Sequence, residues 1–214
     1  MSSAFDRSLE QQVLGVAAEE YAGQFGDPRT EGYRTAWLEF RHRIRTIEEL
    51  HRWQSKQRAA RRDATRILDA AMTRAMNVDG AAKGDAQLYE QSIGGLRMVA
   101  HRGFAARFVE HFKTVTDTST ACGIALASGE PVWVPDTSDS PIFGDSSTLK
   151  MVLDAGARAV ASLPAKSPDG HVVAIVSIHH RRPTAWTHQR RLELEGLVGS
   201  AGQALHEVAA VAPA

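Results

Sequence analysis

The chain predicts an α+β fold: one domain of ordinary size, preceded by an N-terminal helical extension. Three observations carry this. Apolar residues recur at helical spacing as far as Asn77, with no Pro or Gly between Tyr33 and Asn77. After Asn77–Gly80 the period changes from helical to alternating, and extended segments joined by short turns follow. The chain then returns to helical periodicity from Thr184 to Val211. At 214 residues it is long enough to bury a real core.

Composition narrows the class. Hydrophobic content of 43% with 23% charge is that of a globular protein. Lys+Arg and Asp+Glu are both 25, so no overall field points to nucleic acid or to a membrane. No apolar run reaches the roughly 18 residues of a membrane span. The N-terminal MSSAFDRSLEQQ lacks a basic-then-apolar signal pattern. A single Cys forms no internal disulfide and builds no finger-type zinc site, which fits a reducing, cytoplasmic setting.

Taken in order, Leu9–Tyr21 suits a first helix, with Leu9, Val13, Val16 and Ala17 on one face. FGDPRTEG (Phe25–Gly32) breaks it with turn and N-cap chemistry. In the long helix that follows, Tyr33, Trp37, Phe40, Ile44 and Ile47 form a heptad seam. Leu50 and Trp53 shift that seam, and Ala60, Ala64, Ile67, Leu68, Ala71 and Met72 continue the stripe. Such a stripe cannot be buried within its own helix, so it needs the domain or a second chain. Acidic residues prevail up to Glu39 and basic ones from Arg41 to Arg66. That basic stretch reads as a solvated face pairing with the acidic segment. Nucleic-acid contact is the competing reading, against which stands the lack of aromatic and Gly-rich signatures.

AAKGDAQLYEQ (Ala81–Gln91) and GLRMVAHRG (Gly95–Gly103) form a hairpin across Ser92–Gly94, with Leu96, Met98 and Ala100 on one face. Phe104, Phe108 and Phe112 make the next segment amphipathic. TACGIALASG (Thr120–Gly129) is a short helix of small residues closed by Gly129. PVWVPD (Pro131–Asp136) is a brief strand, and the loop TSDSPIFGDSS leads into the helix Leu149–Gly156. Arg158–Ala165 and His171–Arg182 are strands joined through SPDG, and the closing helix is capped by Thr187. Val173, Ile175, Ser177 and His179 share one strand face by alternation.

Four motifs carry a family resemblance: ACG followed by G-x-P-V-x-V-x-D (Ala121–Asp136), D-x-P-I-F (Asp139–Phe143), A-G-x-R-A-V-x-S-x-P (Ala155–Pro164), and S-x-H with R-R-P (Ser177–Pro183). Together with the element order, they make residues 58–214 resemble a GAF domain, a small sensory fold, with 1–57 as the helical extension. The resemblance implies a central antiparallel sheet with the terminal helices on one face. On the other face, loops and short helices would close a small-molecule pocket. It further implies a non-enzymatic sensor that binds a ligand or a signalling partner and responds through its terminal helices. The ligand and any cofactor are unspecified. The expected state is a homodimer through helices 33–76 and 187–211.

Within that frame the candidate ligand-binding residues are Cys122, Trp133, Asp136, Phe143, Ser162, Ser177 and His179. The pocket is expected between the face carrying Ser177 and His179 and a cover made of Ala121–Ala125 and Ser138–Ser147. Competing readings accompany several of these residues. Cys122 is either packing or a redox thiol at a helix N-terminus, the latter making a thiol-based enzyme or sensor the alternative function. Asp136 and Asp139 either cap their own turn or form a metal or acid–base pair. His179 lines a pocket, bonds a neighbouring strand, or ligates haem iron. Trp133 is also a plain core anchor.

Chemically defined subtypes are disfavoured. No Cys-His pair of the bilin-attaching type exists, since Cys122 precedes Gly123. Free methionine sulfoxide reductases need further cysteines, and the loop SPIFGDSS has none. The Asn-Lys-Phe-Asp-Glu string of cyclic-nucleotide binders is absent, as are P-loop, G-x-S-x-G and H-E-x-x-H motifs.

Overall fold

A computed structural model describes residues 31–143 and 147–211. The expected helix Leu9–Tyr21, nearly all of the expected turn Phe25–Gly32, and the side chains of Tyr33, Trp37, Phe40 and Ile44 lie outside the described residues. The chain divides into two compact units, Met1–Ser55 and Lys56–Ala214. Helix α1 (Glu31–Asp79) contributes residues to both. In the first unit, Ile47, Leu50 and Trp53 follow one another at three-residue steps and are about half-exposed.

In the second unit, six antiparallel strands form one sheet. In chain order they are β1 (Lys83–Glu90), β2 (Gly95–Arg102), β3 (Thr114–Val115), β4 (Val132–Val134), β5 (Ala159–Lys166) and β6 (Val172–His180). Their spatial order is β3-β2-β1-β6-β5-β4, so the centre is the pairing of β1 with β6. Two edge strands of two and three residues close the sheet. The expected hairpin is present, turning through Gln91–Ile93 with Gly94 at φ 59°, a conformation glycine adopts without a Cβ penalty.

Each sheet face carries its own core. On one, Leu68, Met72 and Ala75 of α1 meet Leu194, Val198 and Leu205 of the closing helix α5 (His188–Val211). Ala161 and Leu163 of β5 and Val176 and Ile178 of β6 lie beneath them. Apart from Leu163 these strand residues are small or β-branched, which lets two long helices lie close to the strands. Leu192 stands exposed on α5, because a helix turns about 200° between it and buried Leu194. Thr187 caps α5, its Oγ1 accepting from the Arg190 N–H at 3.2 Å.

Short elements cover the opposite face: α2 (Ala106–His111), α3 (Ala121–Ser128) and α4 (Ser147–Asp154). Phe108, Phe112, Ala125, Val152 and Ile175 pack there. α3 is placed by its ends. Thr120 Oγ1 accepts from the Gly123 N–H at 3.0 Å, and Gly129 closes the helix at φ 70°.

Two strands depart from simple alternation. Between Ala86 and Gln87 the pairing of β1 with β2 shifts by one residue, so Leu96 and Met98 face the short-helix core while Ala100 faces the long-helix core. A second irregularity, where Lys166 pairs with Val172, puts Val173 on the long-helix side, away from Ile175, Ser177 and His179. An extra residue in one strand reverses the facing of everything beyond it, which period-2 counting does not register.

Candidate functional site

The short-helix face encloses a cavity of about 30 Å³. Its floor is polar. Asp85 of β1, Ser177 of β6 and Ser162 of β5 stand side by side across three strands, since Asp85 pairs with Ser177 and Ser177 with Ser162. The two serine hydroxyls bond each other at 2.9 Å. Two residues along β6 from Ser177, diagonally from Asp85, His179 brings Nε2 to 2.8 Å from Asp85 Oδ2. Gln87 completes the floor, its Nε2 donating to the Phe112 carbonyl at 3.3 Å.

The roof is mostly apolar. Phe108 and Phe112 come from α2, Cys122 from α3, Phe143 from the loop before α4, and Val152 from α4 itself. The ring of Phe104 stacks on Phe108 with centroids 3.8 Å apart and meets His179 edge-on at 5.0 Å. This aromatic wall fixes the imidazole plane on one side while Asp85 fixes it on the other. Among the described residues, two buried atoms in the site lack a partner: Gln87 Oε1 and His179 Nδ1. An unmade bond at such an atom costs about 1–3 kcal/mol, so a folded protein keeps it there only with a reason or with a guest.

Five sequence candidates are thus brought together around the cavity: Cys122, Phe143, Ser162, Ser177 and His179. Two are placed elsewhere. Trp133 alternates onto the long-helix face, 5.2 Å from the Trp186 ring and with the Arg191 guanidinium 5.1 Å above its own. Asp136 forms an ion pair with Arg158 at 2.9 Å and accepts the Ser138 N–H at 3.0 Å. The Arg158 bonds, and then the Ser138 N–H, hold its carboxyl below the usual carboxylate value. Asp85, Gln87, Thr120, Phe108 and Phe112 line the cavity without having been singled out in the sequence.

Burial pushes the Cys122 thiol up to about 12, the negative charge of Asp85 adding to it, against a hydrogen bond with Thr120 Oγ1 at 3.2 Å. At neutral pH it is therefore a thiol and not a thiolate, and thiolate is the nucleophilic form. Among the described residues, no group of three or more His, Cys, Asp or Glu side chains is arranged to hold a metal ion.

His180 faces the other way, as strand geometry requires of a neighbour. Its Nε2 lies 2.7 Å from Asp79 Oδ2, which also accepts from Trp186 Nε1 at 2.7 Å. Arg190 reaches the other oxygen of Asp79 at 3.6 Å. Asp79 is the last residue of α1, so its carboxylate sits at the unfavourable negative end of the helix dipole and is compensated by these three groups. Two consecutive residues of β6 thus touch the cavity and the junction of α1 with α5.

A free methionine-R-sulfoxide reductase of type II from Thermoplasma acidophilum superposes with a TM-score of 0.56 at 13% identity, over 70% of this chain and 96% of that one. A GAF domain/HD domain protein from Geobacter sulfurreducens gives 0.57 at 12% identity, over 69% and 95%. A GAF domain of Synechocystis sp. PCC6803 in its photoproduct state gives 0.57 at 13%, over 70% and 97%. At these identities the likeness is one of fold. No curated protein matches the chain. No described helix is long and apolar enough to cross a membrane. The GAF domain as a sequence family matches residues 61–205, well over half the chain. With the curled antiparallel sheet between long and short helices, that match establishes that the chain belongs to the GAF domain family.

Proposed function

We propose that the protein is a non-enzymatic, cytoplasmic sensor whose domain, residues 58–214, binds a small ligand in the cavity over Asp85, Gln87, Ser162, Ser177 and His179. The observation that carries this reading is the buried polar floor with two unpartnered atoms under an aromatic roof. A few convergent polar groups in an otherwise apolar enclosure are the usual make-up of a ligand site. Occupancy would be read out at the opposite face, because His180 binds the α1–α5 junction next to His179. The protein acts as a homodimer through helices 33–76 and 187–211, with a signalling partner downstream. Thiol catalysis is not favoured, since Cys122 is a buried thiol held far above neutral pH and no second cysteine exists to resolve a disulfide.

Native mass spectrometry of the purified protein tests the reading. A retained small molecule, lost on unfolding, is the expected result. Peroxide- or sulfoxide-dependent turnover that vanishes in Cys122→Ser, with the fold intact, would replace it by the thiol enzyme.

A further inference from the structure

Donors and acceptors around the cavity do not balance. Gln87 Nε2 is engaged by the Phe112 carbonyl, which fixes the amide orientation, because the flipped amide would set two oxygens against each other. Its Oε1, which only accepts, is left without a partner on a side chain 1% exposed. With the Asp85 carboxylate accepting from His179 Nε2–H, the neutral ring leaves Nδ1 as a second unpartnered acceptor. A protonated ring would turn Nδ1 into a donor, yet Gln87 Oε1 asks for a donor in either state. Among the described residues no Lys or Arg lines the cavity, whereas the Asp85 carboxylate does. At about 30 Å³, against the roughly 150 Å³ of a cavity that takes benzene, the site holds only a small group of a guest.

We infer that this cavity selects small N–H donors, ammonium or a short primary amine, and rejects carboxylates and phosphates. The inference rests on reading the cavity as a ligand site and adds the chemistry of its guest. A carboxylate or phosphate would enter facing unpartnered acceptors and a buried carboxylate with no cation to pair it, an arrangement of high cost. An ammonium group supplies what the site lacks: a donor for Gln87 Oε1, a further one for His179 Nδ1 when the ring is neutral, and positive charge beside Asp85. Phe108 and Phe112 also line the cavity, and aromatic rings attract a cation more than an anion.

The experiment is a salt series on the purified full chain at constant ionic strength, reading the thermal unfolding midpoint. Ammonium chloride and methylammonium chloride are compared with sodium chloride, sodium formate and sodium acetate. A saturable rise with the two amine salts alone is expected, about 5–10 °C at a hundred times Kd. Gln87→Leu should lose that rise. If this variant does not fold, the wild-type series decides alone, supported by slowed proton exchange of 15N-labelled ammonium in the bound state. Amine salts acting no differently from sodium chloride, or a rise with formate or acetate, would overturn the inference. Mass spectrometry separates the two levels. A retained anion leaves the ligand-site reading standing and removes the donor class, whereas no retained mass and no response to any salt removes both.

Discussion

Cys122 shows how burial decides the chemistry of a single side chain. The thiol lies against Thr120 and near Asp85, and deprotonation is pushed from 9.0 to about 12. The folded value is raised, so the stability tied to the neutral thiol is fully present below pH 9 and is lost as pH rises from 9 towards 12. Urea unfolding between pH 8 and 11 should show wild type losing stability faster than Cys122→Ala. Iodoacetamide at pH 8 should leave the folded protein unlabelled over a time in which urea-unfolded chain reacts fully. Cys122→Ser should cost about 1–2 kcal/mol through burial of a hydroxyl. His179 and Ser177 were legible in the sequence from the parity of β6. Asp85 and Gln87 were not, because alternation with Ala86 and Leu88 looks like an ordinary strand with a wetted polar face. Here that face is roofed, and no local pattern in β1 announces a roof supplied by residues from Phe108 onward.

Among the elements, α5 comes very close to β5 at Gly202. A Cβ on Gly202 would stand 2.2 Å from the Lys166 carbonyl oxygen and 2.7 Å from its nitrogen. Backbone cannot yield as a flexible side chain does, so Gly202→Ala should destabilise by roughly 1–3 kcal/mol or more, measured by chemical denaturation. Gly196 and Gly199 on the same helix meet nothing within 4 Å, and alanine there should be neutral or slightly stabilising. The Asp79 junction is the second test at this scale. Asp79→Ala would strip His180 and Trp186 Nε1 of their shared acceptor, at a cost on the order of 2–3 kcal/mol. If the junction reads the cavity, that variant should also change the response to a cavity ligand. The long elements of the domain and their order were legible, from Gly-closed helices and turn chemistry, but the two-residue β3 was not, because its residues read as the end of the amphipathic segment from Phe104. The irregularities in β2 and β6 were not, since each turns on a single extra residue whose place depends on the partner strand.

For the whole molecule, the apolar stripe of α1 sets the expected assembly. Leu68, Met72 and Ala75 are covered by the domain, while Ile47, Leu50 and Trp53 are half-exposed. Light scattering at micromolar concentration should give twice the 23.3 kDa chain mass, and Trp53→Glu should return it to the single chain with its circular dichroism preserved. A wild-type monomer at high concentration would remove the dimer from the proposal. The way the sheet ends bears on the same question. Its borders are Thr114–Val115 and Val132–Val134, the latter set between Pro131 and Pro135, which have no N–H to offer. Strands this brief give a foreign strand almost no ladder to extend. Peptides that recognise a target by adding a strand therefore find on β3 and β4 a template of only two or three residues, and so does a growing fibril. At these two strands association is left to surfaces made of side chains, where a point substitution can tune it, rather than to the backbone, where none could.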